Sequence, residues 1–301
     1  MKMEELLIKA KDKYRLSCAL FNNKNAKAII LIIHGMEEHK ERYYEFAKYL
    51  QNNKYIVLIS DMRGHGKNAP KLSHISDKKG DKLLVDDIIV LTKYLRKKYK
   101  DKKIYIFAQS MGTIIVRKLL QENSNKYDKV VLSGYPIPEK KSKIGINITN
   151  FLINIKGPKS YSKLITTISL GKFVKAIKKR EENEDWLSYN RDNINDFKND
   201  KLCGVEFTLG SYNALFKLVY DISKPKLYKN VNENLKILLI SGKDDPATGN
   251  RKGRTKSLKI LKKAGFKNIE KVLLNNMRHE ILHEVEKEKV FKIILEFYNR
   301  K

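Results

Sequence analysis

The sequence predicts an α/β chain with a mostly parallel sheet, helices on both faces and one long insertion. Three observations carry this. Short, wholly apolar runs alternate with amphipathic stretches from residue 28 onward. The alternation stops between residues 135 and 231, then resumes to the end. No internal repeat or low-complexity linker divides the chain. Alternating strand and helix requires crossover connections, and these produce parallel strands covered on both sides.

Residues Glu4–Phe21 read as a strand pair at the sheet edge. Ala28–Ile33 (AIILII) is a buried strand, since every residue is apolar and His34-Gly35 follows. Glu41–Leu50 has helical spacing. Tyr55–Ser60 (YIVLIS) is the next strand, closed by the glycine-bearing DMRGHGKN. A helix over Leu83–Leu95, a strand over Ile104–Phe107, a helix over Thr113–Leu120 and a strand over Val130–Ser133 complete the first block. After the insertion come a strand at Leu235–Ile240, a helix near Ser257–Ala264, a strand near Val272–Leu274 and a helix around Glu284–Phe297. The expected division is a core of residues 1–134 and 232–301 and an inserted cap of residues 135–231.

The composition excludes several classes. No run reaches the roughly 18 apolar residues that a membrane span needs. The start, MKMEELLIKAKDK, has no apolar stretch of signal-peptide length, so a cytoplasmic protein is expected. Cys18 and Cys203 match no metal or redox spacing and read as two reduced thiols. The formal charge is +29. Specific nucleic-acid recognition is not expected, because lysine is spread along the chain and arginine, which makes the commonest base contacts, is scarce. A basic surface that holds polyanions loosely accounts for the charge.

In parallel sheets the functional residues collect at the carboxyl ends of the strands. This chain places HGMEEH (34–39), DMRGHG (61–66), AQSMG (108–112), SGKDDP (241–246) and NNMRHE (275–280) there. Three of these loops supply Ser, Asp and His in that order, the order of the α/β-hydrolases. Serine needs a neighbouring base to act as a nucleophile. Histidine is that base near neutral pH, and a carboxylate fixes its tautomer. Ser110 is the candidate nucleophile, flanked by the small Ala108 and Gly112 that a sharp strand-to-helix turn requires. Asp245 is preferred over Asp244, because it lies three residues past Gly242 and directly before Pro246. Of the six histidines only His279 and His283 follow the last strand, and His279 lies in the loop.

The oxyanion donors are expected to be the backbone N–H groups of Met36 and Met111, the latter at a helix N-terminus. His34, Asp61, Arg63 and His65 are read as loop-shaping residues held by local hydrogen bonds. The run HEILH (279–283) spells the zinc-protease pattern H-E-x-x-H. That pattern needs both histidines on one helix face. Here it follows a strand and a loop, so His279 is placed outside a helix, His283 on one, and a zinc hydrolase is the disfavoured alternative.

Taken together, HGMEEHKERY, DMRGHGKN, AQSMG, SGKDDP and RHEILHE resemble the monoacylglycerol lipase and lysophospholipase branch of the α/β-hydrolases, which includes serine aminopeptidase-like sequences. DWLS (185–188) and NDKLCG (199–204) are similar to cap segments of that branch. The departures are Ala108 for glycine, Gln109 for a frequent histidine, Thr113 for a second glycine and Asn68 for serine. The resemblance implies an α/β-hydrolase fold, the triad Ser110, Asp245 and His279, Met36 and Met111 as oxyanion donors, and a cap over the site. It also implies no metal, no organic cofactor and an ester substrate with one long acyl chain.

The insertion adds its own signal. Residues 140–180 hold eleven Lys or Arg and no Asp or Glu. Ile148, Phe151, Leu152 and Ile155 share one helical face; Leu170, Phe173, Val174 and Ile177 share another, with Lys172, Lys175, Lys178 and Lys179 mostly opposite. These faces either pack on the core or meet an anionic membrane surface and admit acyl chains. The expected activity is cytoplasmic hydrolysis of monoacylglycerol or lysophospholipid, with possible peripheral membrane contact. A peptidase, thioesterase or acyltransferase would use the same triad; a non-catalytic binding protein on this fold is the reading from another class.

Overall fold

The computed structural model describes residues 3–300. Eight strands form one sheet: β1 (Met3–Lys9), β2 (Arg15–Phe21), β3 (Ala28–Ile33), β4 (Tyr55–Ser60), β5 (Lys103–Gln109), β6 (Lys129–Ser133), β7 (Lys236–Gly242) and β8 (Ile269–Leu274). Their spatial order is β1-β2-β4-β3-β5-β6-β7-β8. The β1–β2 and β2–β4 pairs are antiparallel and all others parallel. This is the α/β-hydrolase fold expected from the sequence, with the antiparallel pair at the edge.

Strands β3 to β6 are apolar throughout except at their ends, because both faces are covered. In β3, Ile29, Leu31 and Ile33 join one core cluster while Ala28, Ile30 and Ile32 join the other. The first cluster is completed by α2 (Gly80–Lys98), α3 (Met111–Asn123), α7 (Leu209–Ile222) and α8 (Arg251–Ala264) through Leu84, Ile115, Leu218 and Leu261. The second is completed by α1 (Tyr44–Asn52) and α9 (Lys287–Asn299) through Phe46, Leu50, Val290 and Phe291. Burying such a side chain contributes roughly 1.5–3 kcal/mol.

The register lines up the functional loops. Ile33 pairs with both Ser60 and Ala108, Gln109 with Ser133, Ser133 with Ile240, and Gly242 with Leu274. The loops after β3, β4, β5, β7 and β8 therefore open on one rim.

Between β6 and β7 lie α4 (Ser142–Lys156), α5 (Lys163–Ala176), α6 (Arg191–Asn199) and α7. The crossover is α7, which shares its core with α2 and α3. The faces differ from the sequence expectation. In α4, Ile146 and Thr149 are buried, whereas Phe151 is 65% and Ile155 64% exposed. Gly145 lies against the Phe216 ring, and this close approach to α7 turns the helix so that Phe151 and Ile155 point outward. In α5 only Ile165 is buried, and Ile177 falls just beyond the helix end. The last helix begins at Lys287 rather than Glu284. Its expected first residue is diverted: Glu284 accepts from Arg278 N, Ser188 Oγ and Tyr189 N at 2.8, 2.8 and 3.0 Å.

Candidate active site

Ser110 stands between β5 and α3 with φ 48° and ψ −116°. A non-glycine residue at positive φ is strained, and such strain concentrates at functional sites. The turn is held from both sides. Ser110 N donates to Ser133 O at 2.9 Å, and Thr113 N and Oγ1 donate to Ser110 O at 2.9 and 2.7 Å. Gly112 is required here, since a Cβ would sit 2.4 Å from Ile33 O and 2.8 Å from His34 O. Ala108 fits inside β5 without exposure.

His279 lies in the loop after β8 and is buried. Its Nδ1 bonds Asp245 Oδ1 at 3.0 Å, and that oxygen also accepts from Ala247 N at 2.8 Å. Nδ1 therefore carries the proton and Nε2 is the basic nitrogen. Burial lowers the His279 pKa, but the charge and hydrogen bond of Asp245, with Glu280 and Glu38 behind, outweigh it and raise it above 6.5. Nε2 has no hydrogen-bond partner in the protein. Asp244 is exposed, and its Oδ2 accepts from Tyr189 Oη at 3.2 Å, so it takes no part.

Ser110, Met36, Met111 and His279 line one cavity of about 740 Å³. Ser110 and His279 thus line the same cavity, and their side chains share no hydrogen bond. Met111 is the first residue of α3, where the N–H has no intrahelical acceptor. The loop of Met36 comes close to the serine: a Cβ on Gly35 would lie 3.2 Å from Ser110 Cβ. The remaining wall is mostly apolar, including Ile114, Ile148, Val174, Leu215 and Phe216.

His34 and His65 shape the rim. Each is pushed down to about 3 by burial, so both stay neutral. His34 Nδ1 donates to Gly35 O at 2.7 Å and its Nε2 accepts from Met62 N at 2.8 Å. His65 Nδ1 donates to Arg63 O at 2.9 Å and its Nε2 accepts from Glu37 N at 3.3 Å. The expectation of local bonds fails for Arg63, which forks onto Asp12 at 2.7 Å and Asp87 at 2.6 and 2.8 Å. Asp61 instead holds Lys40 through its N at 2.8 Å and Nζ at 2.9 Å.

Several contributors escaped the sequence reading. Glu38 accepts from Gly35 N at 2.5 Å and from Tyr43 Oη at 2.8 Å. Arg42 joins Glu38 at 3.3 Å to Glu280 at 2.6 Å, and Asn193 of α6 donates to the same Glu280 oxygen at 2.8 Å. Burial and Glu280 raise Glu38; burial also acts on Glu280, but Arg42 outweighs it and lowers that group. Gln109 Nε2 donates to His279 O at 3.0 Å. The Trp186 ring lies 4.8 Å from the His279 ring, and Glu280 N donates to Leu187 O at 2.8 Å. Only the DWLS run hinted at this contact.

HEILH does not form a zinc-protease helix. His283 lies in a turn before α9, correcting its expected helical placement, and its Nε2 donates to Arg42 O at 3.0 Å. His279 Nδ1 is committed to Asp245.

The chain is similar to known proteins. Monoglyceride lipase of Rattus norvegicus is 26% identical over 222 residues, 73% of this chain and 65% of the relative, so the chain matches just under two thirds of that relative's length. A thermostable carboxyl esterase of Bacillus coagulans superposes with a TM-score of 0.91 at 20% identity, covering 99% of this chain and 98% of that one. Monoglyceride lipase of Saccharomyces cerevisiae superposes with a TM-score of 0.74 at 17% identity, covering 99% and 96%. The model of the family Hydrolase_4, described as serine aminopeptidase, S33, matches residues 24–286. With that match spanning the rim loops from HGMEEH to RHEILHE, the chain belongs to the family Hydrolase_4, serine aminopeptidase, S33.

Proposed function

We propose that the protein is a serine carboxyl-ester hydrolase acting on lipids with a single acyl chain, such as monoacylglycerol or lysophospholipid. The observation that carries the reading is the His279–Asp245 bond, which leaves Nε2 as the basic, unpartnered nitrogen of a residue that lines one cavity with Ser110. Rotation of the Ser110 side chain about χ1 brings Oγ to Nε2 when substrate binds; such bonds commonly tighten only in the complex. Oγ attacks the ester carbonyl and Nε2 takes its proton. The oxyanion is met by the N–H groups of Met36 and Met111, each contributing roughly 2.7–4 kcal/mol. The intermediate collapses, His279 returns the proton to the departing alcohol, and an acyl-enzyme remains. Water, deprotonated by His279, then releases the fatty acid.

Residues 135–231 serve as the cap over a core of 1–134 and 232–301, with α7 as its crossover. The apolar cavity wall suits an acyl chain, which offers no groups for specific hydrogen bonds. Away from the cavity lining, Phe151, Ile155 and Leu164 are exposed among the lysines of α4 and α5. That face supports peripheral contact with an anionic membrane by a cytoplasmic protein, each lysine adding on the order of 1 kcal/mol. No helix of the described residues is long and apolar enough to cross a membrane.

The test is a panel of monoacylglycerols, lysophospholipids, short esters and aminoacyl amides, run on wild type and Ser110→Ala. Wild type should cleave the single-chain lipids best and take up a fluorophosphonate probe; Ser110→Ala should do neither. Wild-type turnover by Ser110→Ala would remove the assignment, and preference for aminoacyl amides would replace the lipid esterase by a peptidase.

A further inference from the structure

The loop after β3 passes through Glu37 at φ 58°. Glycine occupies that left-handed region freely, while a residue with a Cβ is strained there. The position is nevertheless a glutamate, and its side chain lines the cavity beside Ser110 and Met36. The backbone of Glu37 is fully used: N donates to His65 Nε2 at 3.3 Å, and O accepts from Gly204 N at 2.9 Å. The side chain is not. Oε1 is buried and has no hydrogen-bond partner among the described residues, a condition that native structures seldom tolerate.

The surroundings narrow what would satisfy it. Glu184 lines the same cavity, and Glu206 stands close by, accepting from Thr166 Oγ1 at 2.6 Å. Of the cap cations, Arg191 pairs with Glu181 and Asp185 and Lys198 with Glu182, while Lys172, Lys175 and Arg180 line the cavity itself. Burial first, then the charges of Glu206 and Glu184, raise Glu37 to about 8 against the Phe207 N–H. Near neutral pH the group is therefore a carboxylic acid, with one O–H donor and one free acceptor. A hydroxyl group answers both. An ammonium would require the ionised form, and an acyl chain carries nothing to bond. On a lipid ester of this class only the alcohol portion has hydroxyls.

We propose that Glu37 is a specificity-determining residue whose carboxyl group, one position beyond the Met36 amide, hydrogen-bonds a hydroxyl on the alcohol portion of the substrate ester. This rests on the reading of the chain as a Ser110 ester hydrolase. It assigns to the polar corner of the cavity the task of separating polyol esters from simple alkyl esters. A site built around a substrate hydroxyl rejects the analogue that lacks it, because its own buried group is then left unpaired.

The experiment compares 1-octanoylglycerol with propyl octanoate, which lacks both hydroxyls, on the full chain. The quantity read is the ratio of their kcat/KM values within each variant. Wild type should favour the glycerol ester. Glu37→Ala and Glu37→Gly should lower the ratio by roughly tenfold, the loss expected for one or two hydrogen bonds. Glu37→Gln, which keeps a donor and an acceptor, should retain most of it. Glu37→Gly also removes the backbone strain, so its melting temperature should rise, which separates lost recognition from lost folding.

The wild-type ratio should fall as pH passes about 8, where Glu37 ionises, and should stay flat in Glu37→Gln. The titratable groups beside Glu37 are Glu184, Glu206, His65 and Tyr212, and Glu38, Lys172, Lys175 and Arg180 line the same cavity. His65 is held down to about 3 by burial, and Tyr212 is raised by burial and then by Glu37, so neither titrates near that pH. A ratio within twofold of wild type in both the Ala and Gly variants would overturn the subsite, as would a ratio that rises above pH 8. Cleavage of both esters with an unchanged ratio would remove Glu37 alone; cleavage of neither by wild type would remove the ester-hydrolase reading and this proposal with it.

Discussion

Replacing Ser110 by glycine should make the protein more stable and inactive together. The backbone at φ 48° and ψ −116° is available to glycine but strained for any residue with a Cβ. Strain of this kind is worth of order 1–3 kcal/mol. Glycine also enlarges the unfolded ensemble, which takes back roughly 0.5–1 kcal/mol. The net expectation is a gain of about 1 kcal/mol over Ser110→Ala, which keeps the Cβ and therefore the strain. An unfolding entropy of roughly 2.1 cal/mol/K per residue over 301 residues gives about 0.6 kcal/mol/K, so Tm should rise by about 1.5 °C. Urea unfolding of Ser110→Gly, Ser110→Ala and wild type, with the slope m held common, resolves such a difference. The alanine variant is the essential control, since both variants lose the hydroxyl and only one loses the Cβ. If Ser110→Gly were less stable than Ser110→Ala, the turn would hold no strain and the pre-aimed serine would lose its physical basis.

Two further outcomes follow from the charges around the rim. His279 must be neutral to accept the serine proton, and Asp245 raises its pKa above 6.5, so turnover should fall on acidification through a midpoint above 6.5. Asp245→Asn should move that midpoint down and cut kcat by about 10⁴-fold. A pKa raised by folding stabilises the native state fully below the unfolded value and loses that contribution as pH rises through the folded one, so the same change should destabilise more in acid than in alkali; an unshifted acid limb in the turnover profile would refute the pairing. Arg42→Met should destabilise by about 3–5 kcal/mol, because Glu38 and Glu280 would be left buried without their cation, and urea unfolding that shows a loss below about 1 kcal/mol would refute this.

What could be read in advance depended on how local its cause was. Strand β3 is apolar at every position because two layers cover it, and so its limits are visible in AIILII. The sharp turn at Ser110 is legible because small neighbours mark a tight strand-to-helix turn, although the atoms that Gly112 clears, Ile33 O and His34 O, belong to the end of β3. Tertiary causes left weaker traces. The α9 boundary moved because Glu284 is bound to residues 188–190 and to Arg278, and nothing near Glu284 announces those partners. The α4 face splits, with Phe151 and Ile155 exposed, and hydrophobic spacing cannot say that Gly145 will lie against Phe216. Arg42 and Glu280 lie 238 positions apart, and their ion pair exists only once β3 and β8 open on the same rim. Glu37 looked like one more charge in a polar loop until its backbone angle and unpartnered oxygen were known.

The route between β6 and β7 has a consequence for how this scaffold could be altered. Helix α7 returns the chain to the sheet and is rooted in the layer with α2 and α3. Helices α4, α5 and α6 come before that return, so the sheet does not need them to close its connection. A designer could exchange the segment from about Lys140 to Lys179 for a shorter or differently lined one and re-tool which molecules are admitted, keeping Trp186, Leu187, Ser188 and Asn193, which brace the loop that carries His279.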